Sequence, residues 1–159
     1  MECTLGTQLR HLLDLLDGAV ERKYANMGLA YRTRYTPVMR CLIANEPQSL
    51  GDVARCAGIT QPGATQTVAL MIENDLIETV TALDARRKIL RLTAAGRAMA
   101  GELQKAWAAT ARAAESLDRE LPMPISEILA AAITALEANS FDERIRDAGS
   151  QEALTGEPK

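Results

Sequence analysis

Residues 50–93, LGDVARCAGITQPGATQTVALMIENDLIETVTALDARRKILRLT, hold two short helical patterns, a turn, and then two strand patterns separated by a polar tip. Ser49 is placed to cap the first helix, with Asp52 three residues on in the acidic position of an approximate capping box. Leu50, Val53, Ala54 and Ala57 form the inward side of that helix, and Gly58-Ile59 turns the chain. Thr60 caps the second helix, and Pro62 occupies its first turn, where a missing N–H does little harm. Ala64, Val68, Met71, Ile72 and Leu76 supply the second inward face, which leaves Gln61, Thr65 and Gln66 outward. Leu76–Val80 and Ile89–Leu92 predict an antiparallel hairpin with Asp84, Arg86, Arg87 and Lys88 near its tip. A helix pair leading into a basic hairpin is the geometry of a winged helix-turn-helix. One helix can enter a major groove while the hairpin reaches toward the adjacent backbone or minor groove.

Helical patterns flank this unit on both sides. Leu5, Leu9, Leu12, Leu13, Leu16 and Val20 make an apolar stripe over about Leu5–Tyr24, and Asn26-Met27-Gly28 marks its break. A further helix begins at Thr36-Pro37, with Thr36 read as its N-cap and Val38, Met39, Leu42 and Ile43 inward, and it stops before Glu46-Pro47. Downstream, Thr93 to about Leu121 predicts a long helix with Met99, Leu103, Ala106, Trp107, Ala114 and Leu117 on its buried side. Pro122-Met123-Pro124 breaks it, and Ser126–Ala138 forms another amphipathic helix, with Phe141 and Ile145 extending its packing. The polar tail from Ala148 reads as flexible. The fold class is mainly α with a small β hairpin. The chain divides into residues 1–35 as an N-terminal dimerisation helix and connection, 36–97 as the winged unit, 98–147 as C-terminal dimerisation helices and 148–159 as the tail, within one compact chain.

Composition supports this layout. The 159 residues include one Phe, one Trp and much alanine, which favours helix but contributes little core volume. Long helices leaning on one another, or on a second subunit, meet that constraint better than a thick aromatic core. The net charge of −3 argues against a polycationic nucleic-acid coat protein, yet the charge is unevenly spread. Residues 84–97 carry five Lys or Arg against Asp84 alone, a balance of +4, while residues 98–159 carry six against eleven acids, a balance of −5. That places a basic reading edge on an acidic body, although a charge cluster alone is more often a solvated face. Cys3, Cys41 and Cys56 are odd in number and lack Cys-x-x-Cys spacing, which argues against a secreted disulfide scaffold. Cys41 and Cys56 fit apolar helical positions and predict buried, inert thiols. The start of the chain has no basic-apolar-cleavage pattern and charges interrupt every candidate span, so the expected compartment is cytoplasmic, with no membrane partner.

The stretch Thr60-Gln61-Pro62-Gly63-Ala64-Thr65-Gln66-Thr67-Val68 resembles the recognition-helix opening of the MarR family of bacterial transcription regulators. Asp84-Ala85-Arg86, followed by Leu90-Arg91-Leu92-Thr93-Ala94-Ala95-Gly96-Arg97, is similar to that family's wing and the start of its next helix at the expected spacing. The likeness extends over about Leu5–Ile145, with its specific motifs between Leu50 and Arg97. It implies a homodimer joined through N- and C-terminal helices that binds a pseudo-palindromic double-stranded DNA operator. It also implies that Arg86 is the principal wing arginine, that Asp84 supports it, and that Gln61, Thr65 and Gln66 lie on the reading face. Members commonly repress genes and release DNA on binding a small phenolic or aromatic acid. Three positions depart from the pattern: Gln66 where many relatives have Arg, Gly63 for a bulkier or hydroxylated residue, and Asp75 where glycine often precedes the hairpin. With no Lys or Arg between Thr60 and Ile72, phosphate attraction falls to the wing and to bases such as Arg32, Arg34 and Arg55.

Each candidate residue also has a plainer role. Gln61, Thr65 and Gln66 suit base edges, but they also suit a solvated helix face, and Arg87 and Lys88 suit phosphate or simple hairpin solubility. A possible effector pocket comprises His11, Tyr31, Tyr35 and Met39, although tyrosines at such spacing commonly serve core or interface. His11 is the only histidine, which disfavours a metal site, and no resident cofactor is expected. Ser49 and Asp52 are read as capping, and the carboxylate pairs Asp14 with Asp17 and Asp142 with Glu143 as solvated helix charges, so no enzyme activity is expected. Two alternatives remain open: a regulator answering to oxidation of Cys3, Cys41 or Cys56, and a helical protein-interaction module that does not bind DNA.

Overall fold

The computed structural model describes residues 4–81 and 88–155. These fall into two units, residues 1–110 and 111–159. In the first unit, Thr4 accepts a hydrogen bond from the Thr7 amide and starts α1, Leu5–Asn26. Gly28, with a φ of 70°, carries the chain away from it. A 3-10 turn at Thr33–Tyr35 then feeds directly into α2, Thr36–Ala44. Thr36 is therefore inside the helix and not its cap, because the preceding turn already supplies the helical geometry and Tyr35 takes the cap position.

The winged unit follows as β1 (Gln48–Ser49), α3 (Leu50–Ala57), α4 (Gln61–Glu73), β2 (Ile77–Thr81) and β3 (Lys88–Leu92). Ser49 caps α3 by accepting from the Asp52 amide at 3.2 Å, while its hydroxyl donates to the Asp52 carboxylate at 2.6 Å. That bond, reinforced by Arg55, holds the Asp52 carboxyl below its usual range. Gly58 ends α3 in the left-handed region, and Thr60 opens α4 by accepting from the Gly63 amide at 3.3 Å. Asp75 adopts a φ of 54°, the turn conformation that a short polar side chain tolerates.

β3 is the centre of a three-stranded antiparallel sheet, with β2 paired from Ile77↔Leu92 to Thr81↔Lys88 and β1 added on its other edge. The two residues of β1 are too few to leave a periodic sequence signal. Glu46 braces this edge: its carboxylate accepts from the Leu92 amide at 2.6 Å and pairs with Arg97 at the start of α5, Ala94–Glu120.

The first-unit core gathers Val38, Met39, Leu42, Val53, Met71, Leu76, Ile77 and Leu103 under the sheet and helices. Beside them Tyr24, Tyr31 and Tyr35 stack edge to face at centroid separations of 5.0 and 5.7 Å. The Trp107 indole donates to the Tyr24 hydroxyl at 3.0 Å, and the Arg40 guanidinium lies 4.7 Å from the Trp107 ring. Ile72, expected inward, is exposed, and the buried polar position on α4 is Thr67.

The cysteines correct another expectation. Cys41 and Cys56 form a disulfide between α2 and α3, with their Cα atoms 6.0 Å apart. Cys41 is buried, as its apolar position suggested, but Cys56 is exposed. Helical spacing reports which face each cysteine occupies within its own helix; it cannot report that α2 and α3 cross where those faces meet. Cys3 lies outside the described residues.

In the second unit, the end of α5 is followed by α6 (Ile125–Ala138) and α7 (Phe141–Thr155). Asp118 caps α6, accepting from the Ile125 amide at 2.9 Å and the Ser126 hydroxyl at 3.1 Å. Ser140 and Glu143 form a reciprocal capping box at the start of α7, and helical backbone runs through residues 148–155, part of the stretch expected as a flexible tail. Ala114, expected inward on α5, is exposed.

Candidate nucleic-acid interface

Recognition depends first on how α4 is presented. The Thr60 cap fixes its N-terminus, and Ala64, Thr67, Val68 and Met71 anchor one side against the core. The opposite side carries Gln61, Thr65 and Gln66, all exposed, so the structure brings these three residues together on the outer surface of the helix. The Thr65 hydroxyl donates to the Gln61 carbonyl at 2.9 Å. Its proton is thus committed to the helix, and the groups left to meet a base are its methyl and its oxygen as acceptor. Among the described residues neither the Gln61 nor the Gln66 side-chain amide has a partner, and an amide offers the donor and acceptor that can read a base edge bidentately.

Gly63 sits in the first turn of this helix. A Cβ at that position would approach the capping Thr60 Oγ1 to 3.2 Å, so the departure from a bulkier residue leaves the cap unobstructed.

On the hairpin, Lys88 opens β3 opposite Thr81. Asp84, Arg86 and Arg87 lie outside the described residues. The cations behind the hairpin are engaged: Arg91 pairs with its cross-strand neighbour Glu78 at 2.8 Å, and Arg97 with Glu46. On α3, Arg55 binds Asp52 at 2.7 Å. All three remain at least half exposed or nearly so, and such surface pairs can exchange for a phosphate at small cost.

A second feature lies at the other end of α4. A cleft of about 1100 Å³ is lined by Arg22 from α1, by Tyr31, Arg32, Arg34 and Tyr35 from the connection, and by Leu70 of α4 and its C-cap Asn74. The Tyr31 ring is buried and its hydroxyl finds no hydrogen-bond partner among the described residues, although Thr36 lies near it; burial pushes the phenol well above its ordinary range. Glu21 lies 4.0 Å from Arg32 and also lines the cleft, so three arginines and one glutamate share its wall. Of the residues expected to form an effector pocket, Tyr31 and Tyr35 line this space. Met39 is wholly buried in the core, and His11 is exposed on α1; neither lines it. The arginines were not read as pocket residues, although three of them within thirteen positions of the tyrosines were a visible signal.

Searches against protein families and curated proteins find no match to this sequence. Solved structures do match in fold. The MarR family transcriptional regulator SPO1453 from Silicibacter pomeroyi DSS-3 is 25% identical, with a TM-score of 0.60 over 83% of this chain and 94% of that one. The transcriptional regulator MOSR of M. tuberculosis, in complex with DNA, matches at 19% identity and a TM-score of 0.67, over 85% of this chain and 97% of that one. The PcaV transcriptional regulator from Streptomyces coelicolor, in complex with its natural ligand, matches at 19% identity and 0.60, over 88% and 99%. The chain therefore has the winged helix-turn-helix fold of MarR-family transcription regulators.

Proposed function

We propose that the protein is a sequence-specific double-stranded DNA-binding transcription regulator that works as a homodimer. The observation that carries this reading is the capped α4 on a winged scaffold, with Gln61, Thr65 and Gln66 exposed along one side. Arg86, Arg87 and Lys88 extend the reading surface through the wing, with Asp84 supporting it. The dimer is supported by large apolar side chains that stay about half exposed among the described residues: Leu5, Leu9, Leu13 and Leu16 on α1, and Ile128, Ile133, Phe141 and Ile145 in the second unit. An exposed array of this size on a chain with a thin aromatic core calls for a partner, and a second copy supplies it symmetrically. Two recognition helices then meet successive major-groove faces about 34 Å apart, which makes the operator a pseudo-palindrome.

The protein acts as a repressor relieved by a small aromatic or phenolic acid bound in the cleft. Arg22, Arg32 and Arg34 suit a carboxylate, and the rings of Tyr31 and Tyr35 suit an aromatic body. The solved relative in complex with its natural ligand adds support for ligand response in this fold. Because Leu70 belongs to α4 and Asn74 caps its end, a ligand here touches the helix that reads DNA.

Selection from a random duplex library, followed by titration on the enriched and a scrambled sequence, tests the reading. An inverted repeat bound much more tightly than its scramble is the expected result. Equal affinity for both would reject sequence-specific regulation, and binding to neither would favour the protein-interaction module. Sedimentation at several concentrations checks the dimer, which a persistent monomer at micromolar concentration would exclude.

A further inference from the structure

We propose that Cys41 and Cys56 form a reversible thiol–disulfide exchange site, opened by a dithiol at the exposed Cys56, that fastens the helix preceding the recognition helix to the core. The pair is asymmetric. Cys41 sits on α2 between Val38 and Leu42, both wholly buried, and is itself only 4% exposed. Cys56 is in the last turn of α3 and open to solvent. A nucleophile approaching from solvent therefore meets the bond from its Cys56 side.

The exchange balances without any group beyond the dithiol. A dithiol thiolate attacks Cys56 Sγ, forming a mixed disulfide, and the Cys41–Cys56 bond breaks with its electron pair on Cys41 Sγ, which takes a proton from solvent. The second thiol of the reductant, deprotonated, then attacks its own sulfur in the mixed disulfide and closes a cyclic disulfide. Cys56 leaves as thiolate and is protonated in turn. Two electrons and two protons pass to the protein, and the dithiol is oxidised. The buried Cys41 is a poor leaving thiolate, so the first step is the slow one.

The link has a defined mechanical effect. It closes a separation of 15 residues that contains the end of α2, β1 and nearly all of α3. Beyond Cys56 only Ala57, the left-handed Gly58 and Ile59 intervene before Thr60, the cap of α4. Fixing Cys56 to the core thus fixes the starting point of the recognition helix. A loop of this length shifts an opening equilibrium that separates its ends by up to about a hundredfold. That consequence for operator reading rests on the proposed function; the chemistry of the pair does not.

The test uses the full chain, with dithiothreitol as the dithiol. After mild oxidation, alkylation under denaturing conditions followed by intact mass should label one cysteine; after dithiothreitol it should label three. In the reduced native protein, Cys56 should alkylate at least about tenfold faster than Cys41, as expected from its exposure. Hydrogen exchange of the amides in residues 50–60 should quicken on reduction, by up to about a hundredfold. Cys56→Ser, a change at an exposed position, should exchange like the reduced parent and ignore dithiothreitol. Three labels in the oxidised sample, faster labelling of Cys41, or identical exchange in the two redox states would each overturn the proposal. If these signatures appear but neither redox state binds an operator, the exchange site stands and the DNA-binding reading falls.

Discussion

Gly96→Ala is the substitution whose effect follows most directly from the structure. A Cβ built at Gly96 would lie 2.0 Å from the Leu76 carbonyl oxygen and 3.0 Å from its carbon. The closest ordinary C···O approach is about 3.3 Å, so the first turn of α5 must retreat from the turn before β2 by about 1.3 Å. Backbone opposes it on the far side, so no rotamer change relieves the clash. The same carbonyl accepts from the Thr93 amide at 3.1 Å, and the Thr93 hydroxyl oxygen accepts from the Gly96 amide at 2.9 Å. Retreat strains both bonds. Overpacking costs about 1–3 kcal/mol, and each weakened bond adds about 0.5–1.5. The greater helix propensity of alanine returns at most about 1 kcal/mol. The expected net loss is about 1–5 kcal/mol, or a fall in Tm of roughly 3–15 °C for a chain of this size. Gly101→Ala on the same helix is the control, because nothing lies within 4 Å of its added Cβ; it should be neutral or stabilising. Denaturant and thermal unfolding at one fixed protein concentration measure both variants. A Gly96→Ala protein within about 0.5 kcal/mol of the parent would refute the claim that this close approach sets the seat of α5, since surface changes fall in that band.

Glu46→Ala is expected to cost about 2–3 kcal/mol in urea unfolding, because it strips the acceptor from the Leu92 amide as well as the partner from Arg97, whereas Arg97→Ala should cost under about 1. Burial, with Glu21 and Asp14 nearby, raises the Asp17 carboxyl above its ordinary 3.8. A raised acid stabilises the fold below its unfolded pKa and loses that contribution as pH rises through the folded value, so Asp17→Asn should raise Tm at pH 7 and give no gain below pH 3.8. In operator titrations, Arg86→Ala should weaken binding by about 1–3 kcal/mol. Arg87→Ala and Lys88→Ala should each reduce the magnitude of the log-affinity salt slope by about 0.9, and unchanged slopes across salt would remove them from the phosphate contacts.

The fold's local devices are legible in the sequence, and its long-range ones are not. Thr60, Pro62 and the alternation through Ile89–Leu92 each act on neighbours a few residues away, so their pattern can be read directly. Ser140 and Glu143 belong to the same class; the Ser-x-x-Glu spacing that starts α7 is plain in the sequence, yet the polar character of the segment masks it. β1 and the Cys41–Cys56 link are different. A two-residue strand exists only because β3 offers it an edge, and the disulfide exists only because two helices cross at one point. The outward set of Gln61, Thr65 and Gln66 follows from periodicity, but Ile72 does not, because whether the last turn of a helix is covered depends on what packs beside it.

The same division separates the proposed reading face from the cleft. A reading face lies along one helix; the cleft assembles α1, the connection and the far end of α4. Their meeting on α4 matters for the proposed regulation. From Gln61 to Asn74 the helix is about 20 Å long, so a tilt of about 10° at the cleft end displaces the reading end by about 3 Å. A shift of that size exceeds the tolerance of a hydrogen bond to a base edge. The Asn74 side chain already touches both partners in such a movement, donating to the Leu70 carbonyl at 2.7 Å and approaching the Tyr35 hydroxyl at 3.5 Å. A ligand that prefers the tilted arrangement by about 1.4 kcal/mol would lower operator affinity tenfold, and one that fits both arrangements equally would change nothing however tightly it bound. The differential fit at Asn74 and Leu70, more than the strength of the arginine contacts, is what decides whether a compound in this cleft is an effector.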